Sequence, residues 1–184
     1  MICGVDEAGR GPPAGPVYAA AVILPERYRL PGLADSKKLS AKKREALFDA
    51  ICAQAVCYAV GIASVGEIET LNILEAALLA MRRAVGGLSA TPELLLVDGN
   101  IARGFNIKAR AIIGGDSLVP AISAASILAK VSRDRYMTEL ALKYPEYGFE
   151  AHKGYGVKSH FEALDRYGPC PEHRASFLRK WGNR

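Results

Sequence analysis

The chain has 184 residues, half of them apolar, which suits one well-packed domain with at most a small appendage. Charged residues make up 23%, so the composition excludes a disordered chain, and the longest apolar run, at 17–24, is far short of the roughly 20 residues a membrane span needs. The 24 basic and 19 acidic side chains leave +5, but the excess is local: residues 152–184 hold 7 basic and 3 acidic groups together with all three histidines. A surplus of this size fits a nucleic-acid partner without requiring one. No pair among Cys3, Cys52, Cys57 and Cys170 is spaced C-x-x-C, and Asp6-Glu7 interrupt anything that could be a secretory signal. A reduced, cytoplasmic protein is the expectation.

Residues 1–5 read as a short apolar strand that ends in Asp6-Glu7. The Gly/Pro-dense stretch at 9–16 admits neither helix nor regular strand, so it is a shaped loop leading to a buried strand at 17–24, and the three together suggest a hairpin. A polar connection at 35–39 leads to Ser40, a natural N-cap for a helix over 41–54. Alternation and β-branching predict a strand over 56–64; Thr70 or Asn72 caps a helix running to Val85 and closed by Gly86-Gly87. Two short strands follow, 94–97, whose end delivers Asp98, and 109–113, which leads through Gly114-Gly115 to Asp116. Pro120 suits the first turn of a long helix to Lys143, stopped by Tyr144-Pro145. The tail holds a loop through 152–156 and two short helices near 159–167 and 172–180. Alternating strands and helices predict an α/β fold, one sheet flanked by helices with a helical tail.

The placement of acids is the chemical oddity. Asp6, Glu7, Asp98 and Asp116 all fall at or just beyond strand ends, where open sheets bind ligands. Converging carboxylates repel one another and are costly to desolvate, and a hard divalent cation such as Mg2+ or Mn2+ resolves both problems. Two such ions, about 3.5–4 Å apart, can activate water and stabilise the leaving oxygen of a phosphodiester. Taken singly, each acid is also an ordinary turn or cap residue. With no Cys/His cluster in the sequence, zinc is not expected.

Asp6-Glu7-Ala8-Gly9-Arg10-Gly11-Pro12, followed by Ala14-Gly15-Pro16-Val17, resembles the N-terminal motif of the type 2 ribonucleases H, the ribonuclease HII family. Further blocks stand in that family's order: Asp35-Ser36-Lys37-Lys38-Leu39, Val97-Asp98-Gly99, Gly115-Asp116-Ser117, the small-residue run from Ala124 to Val131 ending in Arg133-Asp134, and His152-Lys153-Gly154-Tyr155. The resemblance implies a ribonuclease H-like fold, a central mixed five-stranded sheet flanked by helices, with residues 1–143 as catalytic domain and 144–184 as a helical C-terminal extension packed on it. It implies an endonuclease that cuts the RNA strand of RNA/DNA hybrids and incises 5′ of single ribonucleotides in duplex DNA, leaving 3′-hydroxyl and 5′-phosphate ends, as in ribonucleotide excision repair. The family's four acids map onto Asp6, Glu7, Asp98 and Asp116, which would hold two Mg2+ or Mn2+ ions. Asp134 is a rival for the fourth place, although a helical ion pair beside Arg133 and Arg135 is its more ordinary role.

The resemblance also implies substrate-binding residues. The backbone of Gly9-Arg10-Gly11 would approach the 2′-hydroxyl, the one sugar group that separates ribose from deoxyribose, and Tyr155 would stack on the sugar at the cleavage junction. Lys37 is the candidate phosphate contact, whereas Lys42, Lys43 and Arg44 read as a solvated helix face. In the tail Lys153, Lys158, Arg174, Arg179 and Lys180 are candidates for contacts to the duplex backbone. Ser123, Ser126 and Lys130 are weaker candidates to face substrate, His152 to contact phosphate, and His160 and His173 read as surface residues. Pro13 stands where the family pattern has a larger apolar residue. No C-terminal glutamine-plus-aromatic clamp-binding box is visible, so coupling to a sliding clamp is unsupported; a monomer is expected.

Overall fold

The computed structural model describes residues 1–33 and 39–179. These form a five-stranded mixed sheet in the order β3-β2-β1-β4-β5, with β1 Ile2–Ala8, β2 Val17–Ile23, β3 Cys57–Ala63, β4 Leu94–Asp98 and β5 Ala109–Ile112. β1 pairs antiparallel with β2, the expected hairpin, and parallel with β4; β2–β3 is antiparallel and β4–β5 parallel. β1 runs further than the apolar pattern predicts, because Asp6, Glu7 and Ala8 keep pairing with Ala20, Ala19 and Tyr18. Both acids therefore sit within a hydrogen-bonded strand and not in a loose turn.

Helices cover both faces. On one side α3 (Ile73–Gly86) packs Ala76, Ala77, Ala80, Met81 and Ala84 against Cys3, Val5, Ala19 and Ala21. On the other α5 (Pro120–Lys143), with α1 (Ala41–Gln54), packs Ala124, Ala125, Leu128, Leu47 and Ile51 against Ala20 and Val22. Every residue of β2 is buried, as a strand covered on both faces requires. Small residues bring α5 close: a Cβ on Gly4 would lie 2.1 Å from the Ala121 carbonyl carbon. Asn72 caps α3 through the Leu74 and Glu75 N–H groups. A short α2 (Val65–Leu71) precedes it, absent from the sequence reading, and is opened by a Ser64–Glu67 capping box. The Gly114-Gly115 turn leads into α4 (Gly115–Leu118).

The tail holds α6 (Phe149–His152), α7 (Lys158–Tyr167) and α8 (Ala175–Leu178). α8 is shorter than the predicted 172–180, because the segment before it is extended: His173 bridges to Ala14, and the Arg174 N–H donates to the Pro13 carbonyl. Ala14, Met137, Phe149, Leu164 and Leu178 form a third apolar cluster that joins tail, long helix and Gly/Pro loop.

Three expectations for tail side chains are corrected. Arg174 does not face a duplex: it is 0% exposed. Its guanidinium donates to the carbonyls of Gly9, Arg10 and Gly15 at 2.6–3.1 Å. Arg133, also 0% exposed, donates to Ala14, Pro16 and Lys153 carbonyls, each at 3.0 Å. The loop at 9–16 turns its carbonyls inward, and two five-donor forks satisfy them. Burial, with Arg133 adding to it, pulls the Arg174 pKa down to about 9. His160 and His173 are not surface residues either; both are buried, with their Nε2 atoms 3.0 Å apart. Lys180 lies outside the described residues.

Two predictions follow from this packing. Arg174→Met keeps the volume but strands the loop carbonyls, so urea unfolding should show a loss on the order of 3 kcal/mol. Arg174→Lys should recover little of it, because an ammonium cannot reproduce the fork. For the histidines, burial lowers both pKa values to about 4, below the ordinary 6.5. The unfolded chain then binds more protons between those values, so their contribution is fully present above about pH 6.5 and is lost as pH falls towards 4. Asp6, whose pKa is raised, has the opposite sign. Comparison of the pH slope of unfolding with that of His173→Gln, which should be shallower, isolates the histidine part.

Candidate active site

Register brings the acids together. Val5 pairs with Val97 in parallel strands, so the next residues, Asp6 and Asp98, are neighbours at the same sheet edge. Asp98 Oδ1 accepts the Asp116 N–H at 3.2 Å, which fixes the turn after β5 against β4. That turn needs its glycines: Gly114 has φ 66°, and a Cβ on Gly115 would lie 2.5 Å from Ile122 Cδ1. Ser123 Oγ donates to the Asp116 carbonyl at 2.6 Å and ties the turn to α5. Asp6 is buried, with its Oδ1 accepting the Glu7 N–H at 2.7 Å and the Ser126 hydroxyl beside its carboxylate. Burial, then Glu7, then Asp98 push its pKa well above the ordinary carboxylate range. Glu7 Oε1 accepts from Arg10 Nη1 at 3.3 Å, while Glu7 Oε2 is buried without a hydrogen-bond partner among the described residues.

Among the described residues, no three His, Cys, Asp or Glu side chains are drawn close enough to cage an ion unaided. A hard cation does not need such a cage when one or two carboxylates bind it and water and substrate phosphates complete the shell. The donor set fits that case. It is all carboxylate oxygen, with one oxygen lacking a partner and one acid whose negative form is disfavoured until a positive charge arrives. Asp134 is held by Lys130 at 2.8 Å, the i,i+4 pair that its position in α5 suggests.

Beside the acids lies a cleft of about 360 Å³ lined by Glu7, Ala8, Gly9, Arg44, Ser126, Ile127, Lys130 and Tyr155. Tyr155 is 43% exposed, with Lys130 Nζ 5.4 Å from its ring centre. Gly9 has φ 97°, and a Cβ there would overlap Arg133. Gly11 is different: its φ is unexceptional and a Cβ would meet nothing within 4 Å. Neither folding nor packing accounts for glycine at that position.

The other sequence candidates divide. Ser126 and Lys130 line the cleft, whereas Ser123 holds the Asp116 turn. Arg44 is no plain solvated cation: it lines the cleft, with its guanidinium braced on the Leu39 carbonyl. Lys153 contributes its carbonyl to Arg133 and turns its ammonium to Thr138 and Glu150. His152 offers no free nitrogen to phosphate, since Nε2 meets the Tyr147 carbonyl and Nδ1 the Gly154 N–H. Lys158 and Arg179 are exposed, and Lys37 lies outside the described residues. The sequence reading missed Arg133, whose only signal was a charge in an otherwise small and apolar helix face.

The pattern of the family described as Ribonuclease HII matches residues 3–182. Proteins named Ribonuclease HII from Burkholderia thailandensis and Burkholderia mallei are each 60% identical over 177 residues, 96% of this chain and 83% of theirs. The solved ribonuclease H2 of Pyrococcus horikoshii superposes with a TM-score of 0.81 at 30% identity, covering 100% of this chain and 97% of that one. A ribonuclease HII of Archaeoglobus fulgidus, solved as a complex with PCNA, gives 0.77 at 26% identity and covers 100% and 94%. The parallel β1–β4–β5 edge that gathers the acids thus belongs to a ribonuclease H-like fold, and the chain is a member of the ribonuclease HII family, metal-dependent endoribonucleases that act on RNA/DNA hybrids.

Proposed function

We propose that this enzyme also incises on the 5′ side of single ribonucleotides embedded in duplex DNA, using two divalent ions and leaving 3′-hydroxyl and 5′-phosphate ends. The observation that carries the reading is the cleft of about 360 Å³ lined together by Glu7, Gly9 and Tyr155, an acid, a backbone turn and an aromatic ring. Bound Mg2+ or Mn2+ supplies an activated water and charge stabilisation at the leaving oxygen. Asp6, Glu7, Asp98 and Asp116 would hold the ions; Asp6 and Asp116 are buried, and Glu7 brings the buried oxygen that has no partner among the described residues. Gly9-Arg10-Gly11 reads the 2′-hydroxyl through its backbone, where Gly11 leaves room for close approach. Tyr155 stacks on the sugar at the junction. Arg10 releases Glu7 as the phosphate arrives, and Lys37 and Lys153 contact the duplex backbone, Lys153 by exchanging Thr138 for a phosphate.

In this reading residues 1–143 are the catalytic unit, and 144–184 an extension that contributes Tyr155 and cationic contacts. The protein works as a monomer in the cytoplasm, in ribonucleotide excision repair.

A duplex DNA carrying one ribonucleotide tests this directly. With Mg2+ or Mn2+ the expected product is a single nick 5′ of the ribonucleotide, abolished by chelator; an intact strand alongside cutting of all-DNA duplex would sink the reading. Asp98→Asn should lower the rate by at least about 10³-fold, roughly 4 kcal/mol of transition-state stabilisation, while gel-shift affinity for the duplex persists. Tyr155→Ala should raise KM about tenfold, near 1.4 kcal/mol, and an unchanged KM would remove Tyr155 from the site.

A further inference from the structure

The buried imidazoles of the tail have no part in the chemistry above, yet their hydrogen bonds run in one direction. The Cys170 N–H donates to His173 Nδ1 at 2.9 Å, which places the His173 proton on Nε2. The opposite arrangement, Nδ1–H to the Cys170 carbonyl, spans a longer 3.3 Å and would leave that N–H unpaired. His173 Nε2–H then donates to His160 Nε2 at 3.0 Å. His160 must carry its own proton on Nδ1, 2.8 Å from the Tyr155 carbonyl, to which it donates. One assignment satisfies every partner.

The relay ends on the residue proposed to meet the sugar. Its neighbour is held in the same way: the Gly154 N–H donates to His152 Nδ1, and the His152 ring stacks on His160 at 4.5 Å and 17°. The relay also starts beside Arg174, whose fork grips Gly9 and Arg10. Consecutive residues of one extended segment therefore reach the two loops on either side of the cleft, His173 towards Tyr155 and Arg174 towards Gly9-Arg10-Gly11.

We propose that His173 and His160 are positioning residues, a one-way hydrogen-bond relay that sets the Tyr155 main chain relative to the Gly-Arg-Gly loop and so tunes ribose recognition. This rests on the reading of Tyr155 as the sugar contact. A charged His160 would put two donors face to face across the 3.0 Å contact, and a charged His173 would turn an Nδ1–H against the Cys170 N–H at 2.9 Å, so the relay works with both rings neutral.

Two measurements test it. Long-range ¹H–¹⁵N correlation spectra of the wild-type protein at pH 7 should show His160 protonated on Nδ1 and His173 on Nε2; the reverse tautomer or a charged ring at either overturns the relay without any variant having to fold. Steady-state kinetics on the single-ribonucleotide duplex should then show His160→Phe raising KM about tenfold, close to 1.4 kcal/mol, with kcat within about twofold. His160→Gln, which keeps a donor and an acceptor, should restore KM to within about threefold of wild type. In a Tyr155→Ala background His160→Phe should add nothing. A silent His160→Phe, or an equal effect in that background, overturns the proposal. If Tyr155→Ala itself leaves KM unchanged, the sugar-contact reading falls instead, whatever the tautomers.

Discussion

Two buried guanidiniums reaching into the carbonyls of residues 9–16 are the interaction on which the rest of this site depends. The loop is too rich in glycine and proline to shape itself through regular hydrogen bonds, and its carbonyls point away from solvent. Left alone, each would carry the cost of an unpaired buried acceptor. Arg133 from the long helix and Arg174 from the tail meet five of them, Ala14 and Pro16 for the first and Gly9, Arg10 and Gly15 for the second, and Arg133 takes the Lys153 carbonyl as well. Burying two like charges near each other is unfavourable, as the lowered Arg174 pKa records. What the arrangement secures is one loop geometry, with the inner surface committed and the outer backbone left for a ligand.

The sheet solves the complementary problem. Hydrogen-bond register, not side-chain attraction, carries Asp6 next to Asp98, and the Asp98 side chain then recruits the Asp116 backbone. Mutual repulsion among the acids is imposed by strands whose stability comes from apolar packing on both faces. The electrostatic strain is thus held by the fold, and in the proposed function cations and phosphates relieve it at one shared surface.

Much of this was legible in the residues. β2, a continuous apolar run, and α5, opened by Pro120 and stopped by Tyr144-Pro145, declare themselves, and acids at predicted strand ends were already suspect on chemical grounds. The short α2 was not recovered although its Ser64–Glu67 capping box is plain, because seven residues directly after a strand offer too little periodicity. His160, His173 and Arg174 were misplaced for a different reason. Polar side chains default to the surface; Arg174 is satisfied by a partner as far away in sequence as Gly9, and the two histidines by nearby groups whose spacing follows no helix or strand period. Tyr155 carried no local signal at all beyond its glycine neighbours, since a half-exposed aromatic ring in a loop is common.

The separation in sequence between Arg174 and the loop it grips also orders events during synthesis. Asp6, Glu7, Asp98 and Asp116 have all been made before the ribosome reaches residue 120, and the long helix that packs on their strands is complete at Lys143. The contacts from Arg174 to Gly9 and Arg10 close over 165 and 164 residues and must wait for translation of the tail. A chain translated through α5 thus has every element that aligns its acids, but not the grip of Arg174 on the loop beside them. The loop proposed to read ribose is the last part to be set, in a closure that brings the tail, the long helix and the first loop together.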